Sequence, residues 1–189
     1  DLYVSEDVYP MKAYPNLEPD DWMGYDLLLV NNGDGTFTDR AEAVGLHDQK
    51  LTRHSLLLDV ESDGDLDLYE NNYTQVKKLW QNRLVESGEL TFVDITAGAM
   101  VDGGDLQYPL ESFSSGTADF NNDGYEDIIS FVRGFPSAGP YLLGHTLFLN
   151  AGGEGFVDVT EISKLNSPFE PGLRNHAFNG VMGSTPADV

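Results

Sequence analysis

Two acidic segments of the chain repeat each other, and this repetition constrains the fold more than any other feature of the sequence. Asp59–Tyr69 reads DVESDGDLDLY and Asp119–Ile129 reads DFNNDGYEDII, and the two align without a gap. Each is an acidic loop followed by a short apolar strand. Asp1–Val4, DLYV, matches the end of the same pattern, so the chain opens at the ninth position of a further copy. Self-similarity of this kind is typical of stacked units that share one architecture.

Two further elements recur around the acidic loops. An apolar strand ending in Asn is followed by a turn and by Phe-x-Asp in LLVNNGDGTFTD, LWQNRLVESGELTFVD and LFLNAGGEGFVD. A short strand precedes each loop, in RHSLLLDV, SSGTADF and MGSTPADV, which places Asp188 where Asp59 and Asp119 stand. Each unit thus comprises four short strands, and repeats of about 40–60 residues with this content are typical of propellers. The sequence predicts an all-β fold of β-propeller blades, each with four antiparallel strands.

The repeat also sets the boundaries of about three units, with one blade split between the termini. Helical periodicity is weak, and only residues 40–44 and 161–165 are candidates for short helices. The predicted units are residues 1–50 with strands two to four of the split blade, 51–105 as a blade with the loop 59–67, 106–170 as a blade with the loop 119–127, and 171–189 with the first strand of the split or next blade.

The combined motifs carry a resemblance to a known family. The pattern D-x-(D/E/N)-x-D-G-x-x-D, an apolar strand, L-x-x-N and then G-x-F-x-D resembles the FG-GAP/VCBS repeats over nearly the whole chain. It is most similar to the subgroup found with ASPIC/UnbV-type bacterial extracellular proteins, and integrin α-subunit heads carry related repeats. The resemblance implies a β-propeller at an extracellular or cell-surface location, with calcium between the first two strands of a blade. Glu61 and the insertions at 5–24 and 133–145 depart from the family pattern.

The acidic loops suit calcium chemically. Calcium takes six to eight oxygen ligands at about 2.3–2.6 Å, whereas magnesium gives up its waters reluctantly. Gly64 and Gly124 permit a sharp turn after the fifth loop position. The alternative is an Asx-rich turn without metal, and two full copies in matched register argue against it. The predicted ligands are the side chains of Asp59, Glu61, Asp63 and Asp67 with the carbonyl of Asp65, the side chains of Asp119, Asn121, Asp123 and Asp127 with the carbonyl of Tyr125, and Asp188 with Asp1 across the split loop.

Charge and composition exclude several classes of partner. The 189 residues include 32 acidic and 10 basic side chains, a formal net charge of −22, which repels nucleic acid and anionic lipid and attracts metal cations. The absence of cysteine excludes disulfides and thiolate zinc sites. No apolar run approaches the roughly 18 residues of a membrane span. No signal peptide is visible, and residue 1 falls inside a repeat, which indicates a mature or excised piece.

The split blade leaves two interpretations of how the chain is used. In one, the chain is a segment of a longer propeller, and its neighbours are further repeats. In the other, the ends pair with other copies of the chain, and such a head-to-tail contact gives a ring or an open filament. Unpaired strand edges make either arrangement preferable to an isolated monomer.

No catalytic motif stands out from the sequence, and this favours a non-catalytic calcium-binding scaffold for adhesion or assembly. The four histidines are better explained as contacts within the repeats than as catalytic groups. One alternative is an accessory propeller of a larger secreted enzyme. Another is a carbohydrate-binding module, with protein or glycan ligands held by aromatic residues of the inserted loops. Asn72 also begins an N-glycosylation sequon. The aromatic candidates are Tyr9, Tyr14, Trp22, Tyr25, Phe135 and Tyr141.

Overall fold

The protein folds as three antiparallel β-sheets connected by turns and a few short helices. This confirms the predicted mostly-β fold. None of the helices in the described ranges is long and apolar enough to cross a membrane. The computed structural model describes residues 1–5, 25–46, 50–73, 76–99, 101, 111–133 and 145–163.

The sheets follow one another along the chain, and we name them A, B and C in that order. Sheet A has three strands, and sheets B and C have four each. The strands of sheet A are β1 (Leu2–Val4), β2 (Leu27–Asn31) and β3 (Phe37–Asp39); those of sheet B are β4 (Thr52–Leu58), β5 (Asp67–Asn72), β6 (Lys78–Asn82) and β7 (Phe92–Asp94); those of sheet C are β8 (Glu111–Ala118), β9 (Asp127–Arg133), β10 (Thr146–Asn150) and β11 (Phe156–Asp158).

Sheets B and C are copies of each other in strand order and in register. Each runs in chain order, as β4-β5-β6-β7 and β8-β9-β10-β11. Leu58 pairs with Asp67, and Ala118 pairs with Asp127, so the acidic loop joins the same pair of strands in both sheets. Both first pairs also carry a register shift near the start of the strand. Sheet A holds the counterparts of the second to fourth strands, since β1, β2 and β3 pair in that order.

The Phe-x-Asp motif ends the last strand of every sheet with a side-chain cap. The Asp39 carboxylate accepts a hydrogen bond from the Ala41 amide at 3.0 Å, and Asp94 caps Thr96 at the same distance. A short helical turn follows each cap because the carboxylate satisfies a backbone N–H that the turn leaves without a partner. Four short helical segments are present in the described residues: a 3-10 helix at Glu42–Val44, α1 (Leu84–Ser87), α2 (Thr96–Ala99) and α3 (Thr160–Ser163).

Two hydrophobic cores join the sheets in the order A, B, C. The alternation of side chains along β5 explains this, because Leu68 faces one neighbour and Tyr69 faces the other. Both side chains are fully buried. The core between A and B contains Ala41, Val44, Leu46, Leu68 and Trp80, with Tyr3, Leu28, Leu90 and Phe92 packed against it. The core between B and C contains Leu58, Val60, Tyr69, Leu79, Ala99, Val101, Ile128, Phe148 and Phe156.

Polar contacts also cross between sheets B and C. The Asn71 amide donates to the carbonyl of Ser114 at 2.7 Å, and the Ser130 hydroxyl donates to the Asn71 side-chain oxygen at 3.1 Å. His54 Nδ1 lies 2.9 Å from the Ser115 hydroxyl. These buried groups satisfy one another, which removes the cost of taking them out of water.

Two glycines allow close approach of neighbouring sheets. Gly45 has φ +92°, and a Cβ there would lie 2.9 Å from the carbonyl oxygen of Phe92 in sheet B. Gly153 has φ +83°, and its Cβ would lie 3.2 Å from the Cα of Glu61. A side chain at either position would combine a strained backbone with a steric conflict.

Candidate metal centres

The two acidic loops share positive φ angles at the same two positions. Ser62 and Asn122 occupy the fourth position with φ +58° and +59°. Gly64 and Gly124 occupy the sixth position with φ +98° and +94°. Non-glycine residues rarely adopt such values, so their recurrence in both loops indicates a conformation fixed by the loop pattern itself.

The first aspartate of each loop organises the turn by accepting backbone hydrogen bonds. Asp59 accepts from the amides of Asp63 and Gly64, both at 3.0 Å. Asp119 accepts from the corresponding amides four and five residues later, at 3.1 and 2.9 Å. These hydrogen bonds hold the pKa of Asp119 below its usual range, and the one from the Gly124 amide has the largest effect. The Asp119 carboxylate therefore stays charged.

The ninth residue of each loop closes it from a buried position. The Asp67 carboxylate accepts one hydrogen bond from the Val60 amide and one from the Asn82 amide, both at 2.8 Å. Asp127 accepts from Phe120 and from Asn150 at the same distances. Asp67 and Asp127 are 1% and 0% exposed. The closing aspartate therefore ties the loop to the third strand of its sheet.

The split loop is described at one end only. Asp1 lies at the ninth position, and its Oδ1 accepts a hydrogen bond from the Asn31 amide at 2.8 Å. Asn31 ends β2 as Asn82 ends β6, so Asp1 repeats half of the Asp67 arrangement. The predicted partner Asp188 lies outside the described residues.

Glu86, an acidic residue outside the first loop, lies close to two carboxylates of that loop. Carboxylate oxygens of Asp63, Asp65 and Glu86 all lie within 4.8 Å of one another. Two oxygens bound to one calcium ion at about 2.4 Å are at most about 4.8 Å apart, so this group fits a shared cation. In the described part of the chain it is the one set of three acidic groups this close together. We expected a backbone carbonyl from Asp65, whereas its buried side chain belongs to the group and also accepts from the Val85 amide at 2.9 Å.

Glu86 was missed by the sequence analysis because it lies in the longer hairpin between β6 and β7, which has no counterpart in the other two sheets. Helix α1 at the tip of this hairpin carries the residue toward the loop. Glu86 also forms an ion pair with Arg83 at 2.9 Å, and its side chain is 31% exposed. The available signal was an extra acidic residue in an insertion placed close to an acidic loop.

Glu61, a predicted ligand, pairs with other side chains of the first loop and is not part of that group. Its carboxyl accepts a hydrogen bond from Gln81 and shares another with Asp67. Burial raises the pKa of Glu61, and it raises the pKa of Asp67 to about 8. The two carboxyls therefore retain a proton near neutral pH as long as no cation lies beside them.

The second loop is more open than the first. Asn121 donates from its amide to Asp123 at 2.8 Å, and Asp123 accepts from the Tyr125 amide at 3.0 Å. Asn121 and Asp123 are exposed, whereas burial raises the pKa of Asp127. Glu126 in this loop accepts a hydrogen bond from the Asp59 amide at 2.9 Å, so the second loop contacts the first.

The other residues that the sequence singled out are the Asn72 sequon, the histidines and the aromatic residues of the inserted loops. Asn72 is fully buried, and its side chain bonds to Thr52 and to the carbonyl of Val76, so this fold leaves no room for a glycan there. His54 contacts Ser115, and His145 packs edge-on against Phe131 at 5.1 Å. Tyr25 is 41% exposed. Outside the described residues lie His47, His176, Tyr9, Tyr14, Trp22, Phe135 and Tyr141.

Comparisons with protein-family models and with curated proteins give no relative for this chain. No model of a protein family matches it, and a search of curated proteins finds no match.

The raised pKa values predict how stability depends on pH without calcium. Asp67 is protonated in the folded state up to about pH 8 but ionises near pH 4 when unfolded, so its contribution is complete below pH 4 and is lost as the pH rises through about 8. Burial lowers the pKa of His54 and His145. Their contribution to the free energy of unfolding is therefore lost as the pH falls below about 6.5. We therefore expect the free energy of unfolding of chelated protein to fall between about pH 6.5 and pH 8.5.

Urea unfolding at several pH values measures this slope. Glu61→Gln is the matched variant, because it keeps a neutral hydrogen-bonding side chain beside Asp67 and should reduce the slope. A flat profile for the chelated wild-type chain would contradict the assignment of a retained proton.

Proposed function

We propose that this chain is a calcium-stabilised, non-catalytic β-propeller scaffold that acts in adhesion or assembly outside the cell. The observation that carries the proposal is the pair of matching acidic loops at Asp59–Asp67 and Asp119–Asp127. Positive φ recurs at the fourth and sixth positions of both loops, and the first and ninth aspartates accept matching backbone hydrogen bonds. Repetition of a loop at this level supports a common ligand for both copies.

The charge of the loops supports a divalent cation as that ligand. The first loop carries the carboxyls of Asp59, Glu61, Asp63, Asp65 and Asp67, and Glu86 lies within 4.8 Å of Asp63 and Asp65. Burial is the main cause of the proton that Glu61 and Asp67 retain, and repulsion between neighbouring carboxylates adds to it. A calcium ion would supply the missing positive charge and replace that proton.

The propeller arrangement is the simplest one for sheets of this kind. Sheets B and C pack face to face through one core and have identical strand orders. Sheet A packs on sheet B through a second core in the same manner. Four-stranded antiparallel units that pack side by side in chain order form the blades of propellers.

An extracellular location suits both the proposed ion and the absence of cysteine. Extracellular calcium-binding modules operate at affinities of about 10⁻⁴–10⁻³ M, a range that the intracellular concentration does not reach. A chain with no cysteines has no disulfides to stabilise it, and calcium can take their place. The same bound ions would stiffen the loops for contacts with other repeats or other copies.

Calorimetric titration of chelated, desalted protein with calcium chloride tests the proposal. We expect at least two bound ions per chain and tighter binding at pH 8 than at pH 6, because the proton on Glu61 and Asp67 must leave. Magnesium chloride at the same concentrations should bind much more weakly. An absence of calcium heat at millimolar ion, with the chain folded by circular dichroism, would refute the proposed function.

Glu86 provides a prediction specific to the first loop. Glu86→Gln should weaken calcium binding by about tenfold, the lower end of the roughly 10–100-fold loss that follows removal of a group supporting a metal site. The titration is best done in an Asp119→Ala background, which removes the second loop as a competing site. Glu89→Gln, on the same hairpin and exposed, is the control and should change nothing. Equal affinities for the Glu86 and Glu89 variants would exclude Glu86 as a ligand.

A further inference from the structure

Two residues of the third unit, one in the second acidic loop and one at the end of β10, contact the backbone of the first acidic loop. The Glu126 carboxylate accepts a hydrogen bond from the Asp59 amide at 2.9 Å. The side-chain amide of Asn150 donates a hydrogen bond to the carbonyl of Val60, also at 2.9 Å. The first two residues of the first loop are therefore held by groups from outside sheet B.

Asn150 also holds the second loop. Its backbone amide donates to the buried carboxylate of Asp127 at 2.8 Å, and its side-chain amide donates to the carbonyl of Glu126 at 3.3 Å. Asn150 is 3% exposed, so water competes little for these hydrogen bonds. On the other side, the Val60 amide donates to Asp67 at 2.8 Å. A continuous series of hydrogen bonds through Val60 and Asn150 thus joins the closing aspartates of the two loops.

The hairpin that carries Asn150 packs directly on the first loop. The Gly153 amide in this hairpin donates to the side-chain oxygen of Asn150 at 2.8 Å. A Cβ at Gly153 would lie only 3.2 Å from the Cα of Glu61, the third residue of the first loop. Because close-packed groups transmit displacements, a shift of the first loop acts on the residue that holds the second.

Sheet B has the same two positions without the contacts to a neighbouring sheet. Asn82 corresponds to Asn150, and its side chain donates to the carbonyl of Leu66 at 3.2 Å within its own unit. Leu66 corresponds to Glu126, and it is apolar and 51% exposed. Among the described residues, neither side chain forms a hydrogen bond with sheet A. Strand pairing alone therefore does not require the contacts between the loops, and Asn82 provides a matched control.

We propose that the two acidic loops bind calcium cooperatively, and that Asn150 and Glu126 are the positioning residues that couple them. The inference rests on the proposed function, since it concerns the same two ions. An ion that orders the first loop fixes the Asp59 amide and the Val60 carbonyl, and these groups then hold Glu126 and Asn150 in place. The second ion binds a loop that has less conformational freedom left to lose. The effect is reciprocal, and typical couplings change an affinity by about 5–150-fold.

Calcium titration followed by nuclear magnetic resonance measures the two loops separately. The amides of Gly64 and Gly124 each donate to the first aspartate of their own loop, so each amide signal reports on one loop. Asp63→Ala disables the first loop and leaves the Asp59 amide in place. The calcium midpoint at Gly124 should then rise by about fivefold or more, and Asp123→Ala should raise the midpoint at Gly64 by the same factor.

Two substitutions of Glu126 separate the hydrogen bond from the charge. Glu126→Leu places in the second loop the residue type that the first loop has at this position, and it should reduce the coupling factor to about half or less. Glu126→Gln removes the same charge but keeps an oxygen that accepts from the Asp59 amide, so it should preserve the coupling. In chelator, the Asp59 amide should exchange its hydrogen about three- to tenfold faster in the Leu variant than in the Gln variant.

Asn150→Ala and Asn82→Ala provide the second matched pair. Each variant loses a buried asparagine at the end of a third strand, so each should weaken calcium binding at its own loop. Only Asn150→Ala should also reduce the coupling factor between the loops. If Asn150→Ala fails to fold, the two Glu126 variants provide the same test. Equal coupling in the Leu and Gln variants of Glu126 would overturn the assignment of Glu126.

The outcomes for the wild-type loops distinguish this inference from the function on which it rests. Midpoints at Gly64 and Gly124 that stay within about twofold when the other loop is disabled would overturn the coupling and leave both calcium sites standing. No calcium-dependent change at either glycine of the folded wild-type chain would instead contradict the proposed function.

Discussion

Removal of calcium should lower the thermal midpoint of this chain by about 10 °C or more. A site held at about a hundredfold excess over its Kd contributes roughly 2.7 kcal/mol to the folded state. Two loops contribute about twice that, and about 1 kcal/mol shifts the midpoint by about 2–4 °C in a chain of this size. Removal of the ion also leaves several carboxylates of the first loop without a counter-charge, and their repulsion destabilises the folded state.

Differential scanning calorimetry in excess calcium and in excess chelator measures this shift. Magnesium added to the chelated sample at the same free concentration is the control and should restore little of the midpoint. A variant with Asp59→Ala and Asp119→Ala should show a low midpoint that no longer responds to calcium. An unchanged midpoint for the wild-type chain on chelation would contradict a stabilising role for the ion.

Replacement of Asp67 or Asp127 by alanine should destabilise the chain more than any other single change at the loops. Each carboxylate is buried and accepts two backbone amides at 2.8 Å. Removal leaves two buried N–H groups without acceptors, at about 1–3 kcal/mol each, so we expect a loss of about 2–5 kcal/mol from each substitution. The effect should persist in chelator, because these hydrogen bonds do not require the ion.

Urea unfolding with and without calcium measures these losses. Asp67→Asn should recover part of the stability, since its amide oxygen still accepts one of the two N–H groups. Glu89→Ala, at an exposed carboxylate in the hairpin between β6 and β7, should fall within about 0.5 kcal/mol of the wild type. A loss for Asp67→Ala no greater than that of Glu89→Ala would mean that the closing aspartate does not organise the loop.

The sequence predicts pairing within each sheet well because that information is local and repeated. The spacing of Asp59 and Asp67 appears again at Asp119 and Asp127, and the structure gives both copies the same register. The cap at Asp39, Asp94 and Asp158 also accounts for the recurring Phe-x-Asp motif, although the pattern alone did not predict helices α1 and α2.

Contacts that depend on tertiary packing were beyond sequence reasoning. Glu86 lies in a hairpin insertion with no second copy to align, so nothing in the repeat indicated its approach to Asp63 and Asp65. The hydrogen bond from the Asp59 amide to Glu126 joins two loops of different sheets and follows from how sheets B and C pack. The pairing of Glu61 with Asp67 depends on burial, which the acidic pattern alone does not determine.

A crystal structure at high resolution, grown in millimolar calcium, tests the central claim most directly. We predict one ion in the Asp59–Asp67 turn and another in the Asp119–Asp127 turn, each with six to eight oxygen neighbours at about 2.3–2.6 Å. Anomalous scattering at long wavelength would distinguish calcium from water at both positions. Water alone within both turns, under those conditions, would contradict the assignment of these repeats as cation sites.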